Sequence, residues 1–595
     1  MRQLTDNKLA EAAQRWGMEP GYHDIFGHWH TPNSETLTRL ITALSGGRDH
    51  PPHVDIVPLP AEPQRAFQGD GRRLWALGVQ LYAVRSHRNW GHGDFGDLLR
   101  LVVLAGACGA GGIGLNPLHA LFLDRADQAS PYAPNSRLYL NPLYIDVAAI
   151  AEFPGLAASG LDKEVAALCA CELIAYARVA TVKLAGLRLA YEGFRAGATA
   201  ERRADFEAYR EEQGEALLRF ACFEALRQKH APKPWMEWPA PWRSPDRAQL
   251  EDFRRAHREA CEFHEFVQWV ADRQLQACKD EANRLGMPIG LYVDLAVGIN
   301  PDGADAWSRQ DAIMAGVSVG APPDEFNRGG QDWGLAPFNP FTVAENDFAP
   351  MRQLMEAVMR HAGAIRIDHV LGLNRMFMIP HGCAATDGAY VRFPFEPLLR
   401  VIAEESHRFQ CIVIGEDLGT VPEGFREALA RWGLWTYRVM MFEREGDGRF
   451  RPPEWYPAEA LATFNTHDLP SFRGWMESHD LRVKRGIGVD PGETDEARSW
   501  GQQMLRTILG ERAAAHPPDN IAAVAAFLGV TPTRLVVIAI EDILGEIDQI
   551  NIPATIDEHP NWQRRLAVPL EELEDNPDLK RVADAFAQAG RSARP

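Results

Sequence analysis

Short apolar runs rich in β-branched and aliphatic residues recur along the chain from Trp75 onward. They are LGVQLYAV (77–84), GGIGLNPL (111–118), MPIGLYVDL (287–295), GAIRID (363–368), CIVIGE (411–416), LWTYRVMMF (434–442), LATFN (461–465) and RLVVIAIED (534–542). Their length and composition suit buried strands. Between most of them lie segments such as FAPMRQLMEAVMRHA and PEGFREALARWG, whose apolar residues fall at helical spacing. Strands that alternate with helices make a parallel sheet, and eight such units predict an α/β fold, a (β/α)8 TIM barrel.

Residues 1–70 read as a separate N-terminal extension. A helical start and a second helical stretch at SETLTRLITAL lead into HPPHVDIVPLPAEPQ, whose prolines prevent continuous regular structure. The barrel then occupies 71–595. The stretch from about 150 to 265, rich in Ala, Glu, Arg and Leu, is too long for one connection and reads as a helical insertion, and 476–530 reads as a second.

Composition narrows the function classes. The formal net charge of −19 argues against a phosphate backbone or an anionic membrane as partner, since both need local positive charge. A neutral or cationic small molecule fits better. No apolar run reaches the length of a membrane-spanning helix, and MRQLTDNKLAEAAQRWG lacks the apolar core of a signal peptide, so the expected location is the cytoplasm. The eight cysteines are scattered without CxxC pairs or histidines at zinc spacing and read as reduced thiols. With neither a GxxxxGK[ST] loop nor an HExxH motif, no nucleotide cofactor or catalytic metal is expected.

Charged residues interrupt the strand candidates at one end. Arg366 and Asp368 share one face of GAIRID and sit toward its C-terminus, because side chains alternate across a strand. Glu416 ends CIVIGE, Asp294 ends MPIGLYVD, and Asp468 follows LATFN in the turn NTHDLP. One such Asp alone would read as a helix cap or an ion-pair partner. Four carboxylates at four strand ends converge where barrel enzymes build their active sites. A retaining glycosidase needs one carboxylate as nucleophile and one carboxylic acid across the scissile bond. Arg366 beside Asp368 is expected to keep a nucleophile charged, and negative charge around Glu416 to keep an acid protonated. His369 and His467, each beside a key Asp, suit either core packing or hydrogen bonds to substrate hydroxyls.

RIDHVLGL, VIGEDLGTVP, FNTHDLPSFRGW, GAPPDEFNRGGQDWG and SPYAPNSRLYLNPLYID, taken in order, resemble the 4-α-glucanotransferases called amylomaltases or disproportionating enzymes, relatives of the α-amylases. The resemblance runs from roughly Gly78 to Leu566, and the N-terminal extension suggests the bacterial long form. It implies a barrel without the C-terminal β-sandwich of amylases. By motif position Asp368 matches the nucleophile, Glu416 the general acid/base and Asp468 the transition-state-stabilising carboxylate. Arg366, Asp294, His467 and His369 match supporting polar residues of the donor site, and Tyr132 a tyrosine that packs against sugar. Asp324, Phe326 and Trp333 lie in a segment resembling a loop that arches over the site. Two departures stand out: Met376–Met378, where relatives are richer in tryptophan, which is expected to change packing behind the nucleophile strand, and Ala554, where a glycine is common.

The implied reaction is a double displacement on α-1,4-glucans and maltooligosaccharides, with glucose as an acceptor and no cofactor. A retaining hydrolase of the same clan is the alternative, and a non-catalytic glucan-binding protein a more distant one.

Overall fold

The computed structural model describes residues 6–24, 27–53, 62–323 and 329–593. Eight parallel strands close into a barrel: β1 (Leu74–Val79), β2 (Gly112–Leu115), β3 (Gly290–Leu295), β4 (Ala364–Ile367), β5 (Ile412–Gly415), β6 (Trp435–Val439), β7 (Ala460–Thr463) and β8 (Leu535–Ala539). Each pairs with its neighbours in sequence, and β8 returns to β1. All eight apolar runs supply a barrel strand. The strands are short and nearly wholly buried, since helices cover the outside and side chains fill the inside.

Register does the positioning. Arg366 on β4 stands opposite Asp294 on β3 and Ile414 on β5. Ile367 pairs with Gly415, so the next residues on each strand, Asp368 and Glu416, leave the barrel rim side by side.

Between β2 and β3 the chain forms the helices Tyr176–Gly197, Ala200–His230, Arg247–Ala256 and Arg258–Arg284. Lys183, almost inaccessible, ties the first of these to the barrel by donating to the carbonyl oxygens of Leu143 (2.6 Å) and Ile145 (2.9 Å). Between β7 and β8 lie Phe472–Met476, His479–Gly486, Asp495–Arg512 and Ile521–Gly529.

A second sheet has no counterpart in the sequence reading. Four antiparallel strands, in the spatial order Ala389–Arg392, Arg375–Pro380, Val317–Ala321 and Gln331–Leu335, leave the barrel after β3 and β4. The helices Asp6–Arg15 and Ser34–Ser45 pack on this sheet. Ala13, Trp16, Met18, Leu40 and Leu44 meet Val317, Val319, Leu335, Met376, Met378 and Val391 in a core of their own. Met376 and Met378 therefore belong to an inner strand facing the N-terminal helices, and Met376 also borders the pocket lined by Ile367, Asp368 and His369, so it packs behind the β4 end as expected.

Candidate active site

Asp294, Arg366, Asp368, Glu416, His467 and Asp468 meet at the C-terminal rim of the barrel, joined by Tyr132. The Arg366 guanidinium is the hub. One terminal nitrogen donates to both oxygens of Asp294 (2.9 and 2.8 Å), and the other lies 2.9 Å from Asp368 and 3.9 Å from Glu416. Its face lies 5.6 Å from the Tyr437 ring. Tyr132 donates its hydroxyl to Asp294 (2.6 Å), lies 3.3 Å from His467 Nδ1 and stacks on the His467 ring at 4.7 Å.

Asp468 stands slightly apart. Asn551 Nδ2 donates to one carboxylate oxygen (2.6 Å), His467 Nε2 lies 3.3 Å from the other, and Gln549 Nε2 donates to its main-chain oxygen (2.7 Å). The Asp468 side chain is 45% exposed and open to the cleft, whereas Asp368 is 20% and Glu416 9% exposed.

Backbone strain serves Glu416. His369 adopts φ +46°, rare for a residue with a side chain, and in that conformation its N–H donates to Glu416 Oε2 (2.9 Å). The Leu418 N–H takes the other oxygen (2.7 Å). Trp333 meets the His369 ring edge-on at 5.2 Å, so the second sheet reaches the site through this contact. Asp324 and Phe326 lie outside the described residues.

Electrostatics separate the carboxylates. Burial pushes the Asp368 carboxyl up to about 6; Arg366 opposes this, and Asp294 and Glu416 add to it. The expected charge-keeping by Arg366 is thus outweighed by burial, with that guanidinium shared between Asp368 and Asp294. Burial also raises Glu416, with Arg366 and the two N–H donors pulling the other way. Against the upward push of burial, His467 and Asn551 hold Asp468 below the usual carboxylate range. Burial lowers His369, which favours its neutral form. His467 is raised: burial opposes this, and Asp468 prevails.

Sequence reasoning passed over Tyr292 and Tyr437, which line the cleft, and Asn551 and Trp562, which brace it. The Trp562 ring packs within 5.6 Å of Tyr132 and 5.3 Å of His467. The motif NIPATIDEHPNW held the signal for both, but without a carboxylate at a strand end nothing in it pointed to the site. Just past the end of β8, burial pushes Glu541 up to about 8 and Asp542 up to about 7, so burial favours the protonated form of both cleft-lining carboxyls. Among the described residues no group of three or more His, Cys, Asp or Glu side chains is arranged to hold a metal ion.

A closed (β/α)8 barrel whose rim gathers two carboxylates around one arginine and a third close by is an arrangement suited to a carbohydrate-active enzyme. The family model described as 4-alpha-glucanotransferase matches residues 79–571. A 4-alpha-glucanotransferase of Mycobacterium tuberculosis is 38% identical over 554 residues, spanning 88% of this chain and 75% of the relative. That of Haemophilus influenzae is 34% identical over 555 residues, 87% and 79% of the two chains. The crystal structure of amylomaltase from Corynebacterium glutamicum superposes with a TM-score of 0.84 at 28% identity, covering 98% of this chain and 100% of that one. The chain belongs to the 4-alpha-glucanotransferase family, as the ordered motifs predicted, and is a glycosyl-transferring enzyme.

Proposed function

We propose that the enzyme moves a segment of an α-1,4-glucan to the 4-hydroxyl of glucose or a maltooligosaccharide, with Asp368 as nucleophile, Glu416 as general acid/base and Asp468 as stabiliser of the oxocarbenium-like centre. The observation that carries the assignment is the placement of Asp368 and Glu416 on paired strands, either side of one Arg366 nitrogen. Asp368 attacks the anomeric carbon while Glu416 protonates the leaving oxygen, which forms a β-glycosyl enzyme and frees the reducing-end fragment. Glu416, now ionised, takes the proton from the acceptor 4-hydroxyl as that oxygen displaces Asp368 and restores the α-bond. The Arg366–Asp294–Tyr132–His467 chain fixes the site before substrate arrives, so little reorganisation remains for the chemical step.

Residues 1–70 serve in this reading as an extension of 71–595 that braces the second sheet. Tyr132 and the segment containing Asp324, Phe326 and Trp333 hold the acceptor. A cytoplasmic location fits the eight cysteines, none of which is joined in a disulfide among the described residues. No nucleic acid or membrane enters the reaction, in keeping with the net charge of −19.

Incubation with maltotriose tests the reading. Transfer builds a ladder of longer maltooligosaccharides and releases glucose while reducing ends stay nearly constant. A steady rise of reducing ends with no product longer than maltotriose would replace the transferase with a hydrolase. Asp368→Asn is expected to lower turnover by at least about a thousandfold, roughly 4 kcal/mol of barrier, and a near-normal rate would remove Asp368 from the role.

A further inference from the structure

Trp455 is 64% exposed and Trp500 48% exposed, an unusual presentation for the largest apolar side chain. The two are held by the same pair of elements. From Tyr437 in the cleft wall the chain runs through the turn Met440–Phe442 into a hairpin closed by the bridge between Arg444 and Phe450. Trp500, on the helix Asp495–Arg512, donates its indole N–H to the Asp447 carbonyl at the hairpin tip (3.0 Å). Trp455 ends the short turn Pro453–Trp455 that follows, with the Arg451 guanidinium 5.5 Å from its ring. Glu454 beside it pairs with Arg512 of the helix that carries Trp500 (3.1 Å).

Trp500 is therefore held by its indole N–H, Trp455 stands beside the Arg451 guanidinium, and both rings are left facing solvent. The hairpin and turn that carry them hold the ion pairs Arg449–Asp447 and Arg451–Glu445, Glu454 pairs with Arg512, and the exposed Phe442 stands at the base of the hairpin. Separate aromatic faces amid charged hydrogen-bonding groups suit a sugar chain, whose C–H faces stack on indole while its hydroxyls reach flanking charges. A protein partner would favour a contiguous apolar centre instead.

We propose that Trp455 and Trp500 form a docking surface for an α-glucan chain outside the catalytic cleft. The inference rests on the glucan reading above. A ring already held, as Trp500 is, loses little entropy on binding, and a polymer held at one point reaches the nearby cleft at a raised effective concentration. A substrate too short to span both places gains nothing from the surface.

The test uses the full chain and the variants Trp455→Ala, Trp500→Ala and the double variant. Native electrophoresis through gels containing amylose reads docking, and KM is measured on maltotriose and on long amylose. The expected result is weakened retardation and a KM for long amylose raised about fivefold or more in the double variant, with maltotriose turnover within about twofold of the parent. The unchanged maltotriose rate shows that the variants are folded. Unchanged retardation and KM on amylose would overturn the proposal, as would an equal loss on both substrates. Retardation repeated with Asp368→Asn reads docking without turnover, so docking and the transfer reading stand or fall separately. Binding of protein in place of amylose at the patch would likewise overturn it.

Discussion

At the scale of single residues, Asp368 carries opposing demands. A carboxyl raised in the folded state to about 6, from an unfolded value near 4, favours folding fully below about pH 4, and that contribution is lost as pH rises through about 6. The proposed mechanism needs the opposite, since only an ionised Asp368 attacks the anomeric carbon. The acid limb of the rate profile is therefore expected near pH 6, and Asp368→Asn is expected to be more stable than the parent at pH 8, by about 3 kcal/mol, with no gain at pH 4. Urea unfolding at both pH values checks this, and an equal change at each would show that charge burial is not the cause. Ala554 shows strain of another kind. It is exposed at φ +66°, a conformation in which a Cβ is penalised. Ala554→Gly is expected to stabilise the protein by up to about 1 kcal/mol, read as a rise in Tm with activity unchanged, because relief of the left-handed alanine exceeds the added freedom of the unfolded chain.

At the scale of elements, the helix Tyr176–Gly197 depends on one buried cation. Lys183→Met keeps most of the side-chain length but removes the donor to Leu143 and Ile145 and the charge 4.0 Å from Asp94. Two buried carbonyls and a carboxylate then lose a partner, and a loss of about 3 kcal/mol is expected in urea unfolding. A change below about 1 kcal/mol would mean that water takes the place of the ammonium. Lys183 carries no sign in the sequence that it is buried, and this marks where sequence reading ends. The eight barrel strands were legible because each is a dense apolar run between helices, and the proposed catalytic carboxylates because each ends or follows such a run at the same end. The second sheet was not. Its strand Gln331–Leu335 alternates exposed and half-buried positions and follows a segment rich in Gly and Pro, so it read as loop. Arg375–Pro380 is apolar enough for a strand but follows β4 so closely that it read as packing behind it. Asn551 and Trp562 were hidden for another reason: both reach the site from an irregular segment, where no periodicity announces which side chains turn inward.

At the scale of the whole molecule, the barrel and the N-terminal helices meet the active site by different routes. The barrel supplies the carboxylates directly. The N-terminal helices act through the second sheet, whose strand Gln331–Leu335 sets Trp333 against His369, the residue whose N–H holds Glu416. Trp16 is the anchor of that route: 2% exposed, packed in the core between helices and sheet, with its ring edge-on to Phe341 at 5.1 Å. Trp16→Ala would leave a large cavity there, costing about 3–5 kcal/mol, but the loss falls on the small core and not on the barrel. Hydrogen exchange is expected to quicken in Arg375–Pro380 and Val317–Ala321 while β4 and β5 stay protected. With Trp333 less firmly held, water competes better for the glycosyl enzyme, so the ratio of hydrolysis to transfer on maltotriose should rise more than donor cleavage slows. A variant that loosens the sheet yet keeps the parent ratio would show that the N-terminal helices stabilise the molecule without shaping the acceptor side of the site.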